Sequence, residues 1–212
     1  MSMHPVLIGL AVAMWAGVHS WLASIGVKTF AGRALGEGPM RAYRLSYNAF
    51  SVLSLVPILI WMRTLPDRTL YSVQAPWLYA MLAGQVISAI FLFVALLQTN
   101  TLHFAGVSQL FGRNETTGLV STGFYRLVRH PLYLFGLLIL WLTPIITVNS
   151  FAVCAVLSAY IFVGARLEER RLVREFGALY TEYQARTPMI FPSLRVGRST
   201  TTDSQTEGRA GG

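Results

Sequence analysis

Three long apolar runs free of Lys, Arg, Asp and Glu, near Pro5–Ala23, Leu45–Trp61 and Trp77–Leu97, govern what this chain can become. Each approaches the ~20 helical residues that cross the hydrocarbon core of a bilayer. In lipid a spanning segment has to satisfy its own backbone N–H and C=O groups, so these runs are expected to be helices. Two shorter runs, Leu132–Val148 and Phe151–Ala165, are parted only at Thr147–Ser150, with Pro144 just before, and predict a tight helical hairpin. The expected fold is therefore an all-α integral membrane protein of about five transmembrane helices, the last two a hairpin. Beyond it, Glu168–Tyr183 reads as a polar cytoplasmic C-terminal helix, and Thr187-Pro188 and Phe191-Pro192 break regular structure. Val196–Gly212, rich in Ser, Thr and Gly, reads as a disordered tail. Three regions result: a three-span part over 1–100, a loop, hairpin and C-terminal helix over 101–195, and the tail over 196–212. The first run reads as a span, not a cleaved signal peptide, because no Lys or Arg precedes it.

Charge supplies an independent check on the spans. Only 12% of the residues are charged against 54% hydrophobic, and the net charge is +8. The basic residues are split by apolar runs and form no continuous face, which argues against nucleic acid and for contact with membrane lipids. Arginine and lysine collect in alternate loops, fifteen of the 17 in the segments after span one, before span four and after span five. Only Arg63 and Arg68 fall on the other side. Basic residues near span ends stay in the cytoplasm, so the N-terminus is expected outside and the C-terminus inside. The single cysteine, Cys154, excludes an intrachain disulfide and a cysteine-cluster metal site. Almost no ionisable residue lies within the spans, which leaves nothing from which to build a transport path.

The chemically capable residues converge at one membrane face. Span four starts just after Arg129-His130-Pro131, with proline well placed in a first helical turn. Span five returns to the same face at Arg166–Arg171, so Arg129, His130 and Tyr133 come near Glu168 and Glu169. The cluster holds an arginine suited to a carboxylate, a histidine that exchanges protons near neutral pH, and two acids able to bind an amino group or ribose hydroxyls. Tyr125, Tyr133, Tyr180 and Tyr183 add stacking and hydrogen-bonding groups. Interfacial ion pairing, with Glu168 and Glu169 on Arg166, Arg170 and Arg171, is the plainer reading of the same residues. Spacing alone supports a pocket for a charged or zwitterionic small molecule.

The run Leu119-Val120-Ser121-Thr122-Gly123-Phe124-Tyr125-Arg126-Leu127-Val128-Arg129-His130-Pro131-Leu132-Tyr133, with Glu168-Glu169-Arg170 and Tyr180, Tyr183, Pro188 and Pro192 downstream, resembles the isoprenylcysteine carboxyl methyltransferase and phospholipid methyltransferase superfamily. Trp141-Leu142-Thr143-Pro144 and Leu167-Glu168-Glu169-Arg170 look most like its bacterial methanethiol S-methyltransferase branch. Trp15, His19-Ser20 and Tyr43-Arg44-Leu45 through Tyr47-Asn48 also look like the related NnrU family. The resemblance implies a bacterial inner-membrane enzyme using S-adenosylmethionine, with a small-molecule or lipid-like acceptor methylated on sulfur or oxygen. It implies that Arg129, His130, Tyr133 and Glu168 hold the donor, with Glu169 and Tyr125 as further candidates and Tyr180, Tyr183, Arg186 and Pro188 in a segment folding over it. For a thiol acceptor, Arg129 or Arg186 would favour the anion and His130 would take the proton unless it is committed to the donor, whereas a carboxylate acceptor would need no base. A non-catalytic NnrU-like protein linked to nitrogen-oxide or redox metabolism is the alternative. His19 and His103 lack a second metal ligand at helical spacing, whereas Asn48, Gln85 and Gln98 read as interhelical hydrogen-bonding groups and Gly84 with Ser88 as a close helix contact.

Overall fold

A computed structural model describes residues 3–99 and 118–192. His103, Arg113 and the tail expected over 196–212 lie outside the described residues. The chain forms helices α1 (His4–Ala23), α2 (Ile25–Leu35) and α3 (Glu37–Thr64), strand β1 (Thr69–Ser72) and helix α4 (Trp77–Gln98). After a 3-10 turn at Gly123–Arg126 come α5 (Pro131–Trp141), β2 (Ile145–Thr147), α6 (Val148–Phe176) and α7 (Ala178–Arg186).

Among the described residues, four helices are long and apolar enough to cross a membrane: α1, the Leu45–Thr64 part of α3, α4 and α6. Most of their large apolar side chains point outward, including Leu10, Met14, Val52, Leu53, Val86 and Phe93. That is the expected inversion for helices whose solvent is lipid. What is buried is the seam between them. Ile8, Val12 and Val153 pack together, with Ile58, Leu59 and Met62 against them, joining α1, α3 and α6.

The fourth pass departs from expectation. Instead of a full-length helix over Leu132–Val148, α5 has 11 residues, about 17 Å at the α-helical rise. Pro144 lacks the N–H that would continue the helix, and the chain extends into β2, which pairs antiparallel with β1 in the register Thr69↔Thr147, Tyr71↔Ile146 and Ser72↔Ile145. The three residues of β2 add ~10 Å, so helix and strand together cover most of the core thickness. This ribbon was not foreseen: Thr69–Ser72 is exposed at all four positions and has no alternating apolar face.

The last spanning helix is also longer than expected. Instead of ending near Ala165 before a separate polar helix, α6 runs 29 residues, about 44 Å. A reciprocal cap starts it: Thr147 Oγ1 accepts from the Ser150 amide at 3.2 Å while Ser150 Oγ accepts from the Thr147 amide at 2.8 Å. Asp67 Oδ1 accepts from the Asn149 amide at 3.1 Å, setting a carboxylate at the positive end of the helix. Gly177, at φ 56°, ends α6 in a left-handed turn that only glycine adopts without strain.

Contacts foreseen between α4 and α5 are present. Gln85 Nε2 donates to the Ile139 carbonyl at 2.9 Å. A Cβ on Gly84 would meet Leu142 Cδ1 at 2.9 Å, so glycine permits the close approach. Gln98 instead serves a loop, its Oε1 accepting from the Phe124 amide at 2.9 Å.

A candidate active site at the mouth of the α5–α6 hairpin

Arg129 and His130 are held by backbone from the far end of the sequence. The Arg129 amide donates to the Pro188 carbonyl at 2.9 Å and the His130 amide to the Met189 carbonyl at 3.0 Å. Ile190, only 2% exposed, sinks next to Leu137 and Ala165 between α5 and α6 and fastens this strap. Residues 187–190 thus lock the start of α5 against the end of α6 and α7.

Within that frame the two acids take different partners. Glu169 Oε1 lies 2.6 Å from Arg129 Nε and 3.3 Å from His130 Nε2. Its Oε2 accepts from Gln184 Nε2 at 3.1 Å. Arg129 also donates through Nη1 to the carbonyls of Gln184, at 3.1 Å, and Thr187. Buried charges survive only when paired and hydrogen-bonded, and this pair is both. Neither Glu168 nor Glu169 pairs with Arg166, Arg170 or Arg171; the interfacial pairing considered from sequence does not form. Glu168 is more open, accepting from the Tyr133 hydroxyl at 2.8 Å and lying 3.7 Å from His130 Nδ1. The His130 and Tyr133 rings stack with centroids 5.2 Å apart.

Burial pushes His130 below its ordinary imidazole value, with the opposing pull of Glu168 and Glu169 too weak to restore it and Arg129 adding to the lowering. Its imidazole is therefore neutral near pH 7. Burial likewise raises the phenols of Tyr125 and Tyr180 above their ordinary range and that of Tyr183 to about 12. All three stay protonated donors, and Tyr183 gives its proton to the Tyr125 carbonyl.

A cavity of about 310 Å³ opens beside this cluster. Tyr125, Arg129, His130, Tyr133, Glu168, Tyr180 and Tyr183, all singled out from sequence, line it. Glu169 stands behind it as the brace of Arg129 and His130. Arg186 does not come to the cavity. It lies on the exposed side of α7, 3.8 Å from Glu182, because the inward face of that segment runs through Tyr180, Tyr183, Gln184 and Thr187 and Arg186 is off that stripe. Arg171, Leu172, Glu175 and Phe176 line the cavity without having been expected. With Glu168 they occupy positions i, i+3, i+4, i+7 and i+8, one face of α6. That spacing was visible in the sequence once α6 was allowed to continue past the bilayer.

The His19 neighbourhood is separate. Its Nδ1 lies 2.7 Å from Ser51 Oγ and its Nε2 2.7 Å from the Tyr47 hydroxyl, while Trp15 stacks on the ring. Both ring nitrogens are occupied by side chains of α3.

A helical bundle with spans long and apolar enough for a bilayer, and a charged, tyrosine-lined cavity where two of its apolar helices emerge, defines an integral membrane protein with a candidate ligand pocket. The phospholipid methyltransferase family profile matches residues 79–178. Methanethiol S-methyltransferase 1 of Bradyrhizobium diazoefficiens is 32% identical over 195 residues, covering 88% of this chain and 66% of that protein. Methanethiol S-methyltransferase 2 of the same organism is 31% identical, covering 90% of this chain and 74% of its own length. The Crocosphaera subtropica methanethiol S-methyltransferase is also 31% identical, covering 88% and 74%. The chain belongs to the membrane methyltransferase family that contains these proteins. No solved structure gives a match.

Proposed function

We propose that the protein is an S-adenosylmethionine-dependent methyltransferase whose acceptor is a small thiol. The observation that carries the reading is the corner made by Glu168, Tyr133 and His130 on a cavity at the hairpin mouth. It is supported by relatives named as thiol methyltransferases. Those names are also why the NnrU-like, non-catalytic alternative is not favoured.

The cavity fits a zwitterionic nucleoside-bearing donor. Glu168 has an oxygen to spare for an ammonium or ribose hydroxyl, and Arg171 on the same helix face suits a carboxylate. Tyr125, Tyr180, Tyr183 and Phe176 offer rings for a base to stack on. When bound, such a donor supplies an electrophilic methyl carried on a sulfonium. The protein's own part is alignment, since holding reactants in line can supply ~7–11 kcal/mol. Arg129 acts through position: paired to Glu169, it ties α6 to the strap that carries α7. His130, kept neutral by burial, is the proton acceptor for a thiol, whose thiolate is the reactive form.

Orientation follows the charge asymmetry. With fifteen of the 17 Lys and Arg in the segments on one side, the pocket opens to the cytoplasm and the N-terminus lies outside, in a bacterial inner membrane.

Isothermal calorimetry of S-adenosylmethionine with detergent-purified protein tests the reading. Saturable binding is expected, displaced by S-adenosylhomocysteine and lost in Glu168→Ala and His130→Ala. Headspace detection of the methylated thiol, with amine and carboxylate acceptors run alongside, tests the acceptor class. Folded protein that gives neither heat nor competition would remove the donor assignment.

A further inference from the structure

The opposite face of α6 carries a second concavity that the methyl-transfer site does not use. It encloses about 690 Å³ and is lined by Arg166, Arg170 and Arg174, with Leu167, Val173 and Met189 as its apolar wall. The arginines recur at i, i+4 and i+8, so they form one ladder along the helix. Glu169 also borders the groove, but its Oε1 is 2.6 Å from Arg129 and its Oε2 takes Gln184, so its charge is already answered on the other side. None of the three arginines lies within ion-pair distance of a carboxylate among the described residues.

Depth along the helix identifies the environment of this ladder. Counting ~20 residues for the hydrocarbon core from Val148 puts the core boundary close to Leu167. Arg170 and Arg174 then stand ~6 and ~12 Å beyond Arg166, a stretch that crosses the polar headgroup layer, where lipid phosphates sit. Guanidinium groups bind phosphate oxygens in bidentate fashion, and apolar walls at the same depth accept the glycerol and upper acyl chain. We propose that this groove, formed by α6 with Gln184 and Met189, binds the headgroup of an anionic phospholipid. This does not rest on the methyltransferase reading.

The test titrates delipidated, full-length protein in neutral detergent with dihexanoyl phosphatidylglycerol, dihexanoyl phosphatidylcholine and inorganic phosphate. Saturable binding of the glycerol lipid at least ~10-fold tighter than the choline lipid is expected, with each Arg→Gln change at 166, 170 or 174 weakening it roughly fivefold. Arg63→Gln with Arg68→Gln, at the other end of the bundle, leaves it unchanged. A triple lysine variant of the ladder, which keeps the charge, retains part of the preference and guards against a folding defect. Equal affinity for the two lipids, or unchanged binding in Arg170→Gln and the other two single variants, would overturn the site. Displacement of the glycerol lipid by millimolar inorganic phosphate would overturn its assignment to lipid.

Discussion

Two histidines sit in similar packing and reach different ends. His19 stacks on Trp15 with centroids 5.3 Å apart, and His130 on Tyr133 at 5.2 Å. Each has both ring nitrogens near polar side chains. The partners of His19 are neutral hydroxyls of Ser51 and Tyr47, with Tyr160 edge-on to the ring. His130 stands between two carboxylates beside a buried arginine, on the wall of a cavity. Aromatic stacking and a buried imidazole therefore do not by themselves mark a candidate site; neighbouring charge and open volume set His130 apart from His19.

The contrast is broken most forcibly at Glu169. Glu169→Ala leaves Arg129 buried without its counterion, for which a loss of ~3–5 kcal/mol is expected. Thermal unfolding in detergent should register it, and an unfolding temperature equal to wild type would mean that the pair does not hold the strap. On the other side of the comparison, Tyr47→Phe removes a neutral hydrogen bond from His19, with an expected loss of about 1 kcal/mol and donor affinity within about twofold of wild type. Abolished methyl transfer in folded Tyr47→Phe protein would bring the His19 cluster into the reaction. The remaining test concerns pH. Since His130 has a lower value folded than the 6.5 of a free imidazole, the unfolded chain binds the extra proton first as pH falls. Its stabilising contribution is complete above that value and is lost as pH falls through the folded one, by at most about 1.4 kcal/mol per pH unit. Unfolding temperatures measured from about pH 7 down to pH 5 should decline, and His130→Gln should flatten the decline; an identical slope in the variant would assign it to other groups.

The long spans and the convergence of Arg129, His130, Tyr133 and Glu168 were legible because both follow from one-dimensional patterns. Apolar runs count directly as bilayer thickness, and a hairpin brings its two mouths together. The shortness of α5 was hidden since hydropathy cannot tell an apolar helix from an apolar helix followed by a strand. The pairing of Arg129 and His130 with Pro188 and Met189 is between backbone atoms and leaves no mark on side-chain identity. Arg171 and Glu175 were missed for a different reason: their charge suggested the end of the span, when the helix simply continues into the headgroup layer. Arg186 carried a suitable charge, but its position on the α7 surface is set by Tyr180 and Tyr183 turning inward.

The β1–β2 ribbon joins the connection between α3 and α4 to the turn between α5 and α6. The Val73 amide bonds to the Pro144 carbonyl and the Val148 amide to the Arg68 carbonyl, extending the ladder at both ends. The bundle is thereby stitched shut at the end far from the cavity, like tongs riveted at the heel. Any widening that admits or releases a ligand has to come from splaying at the other end, against the strap over Arg129 and His130, the Arg129–Glu169 pair and the Tyr133–Glu168 hydrogen bond.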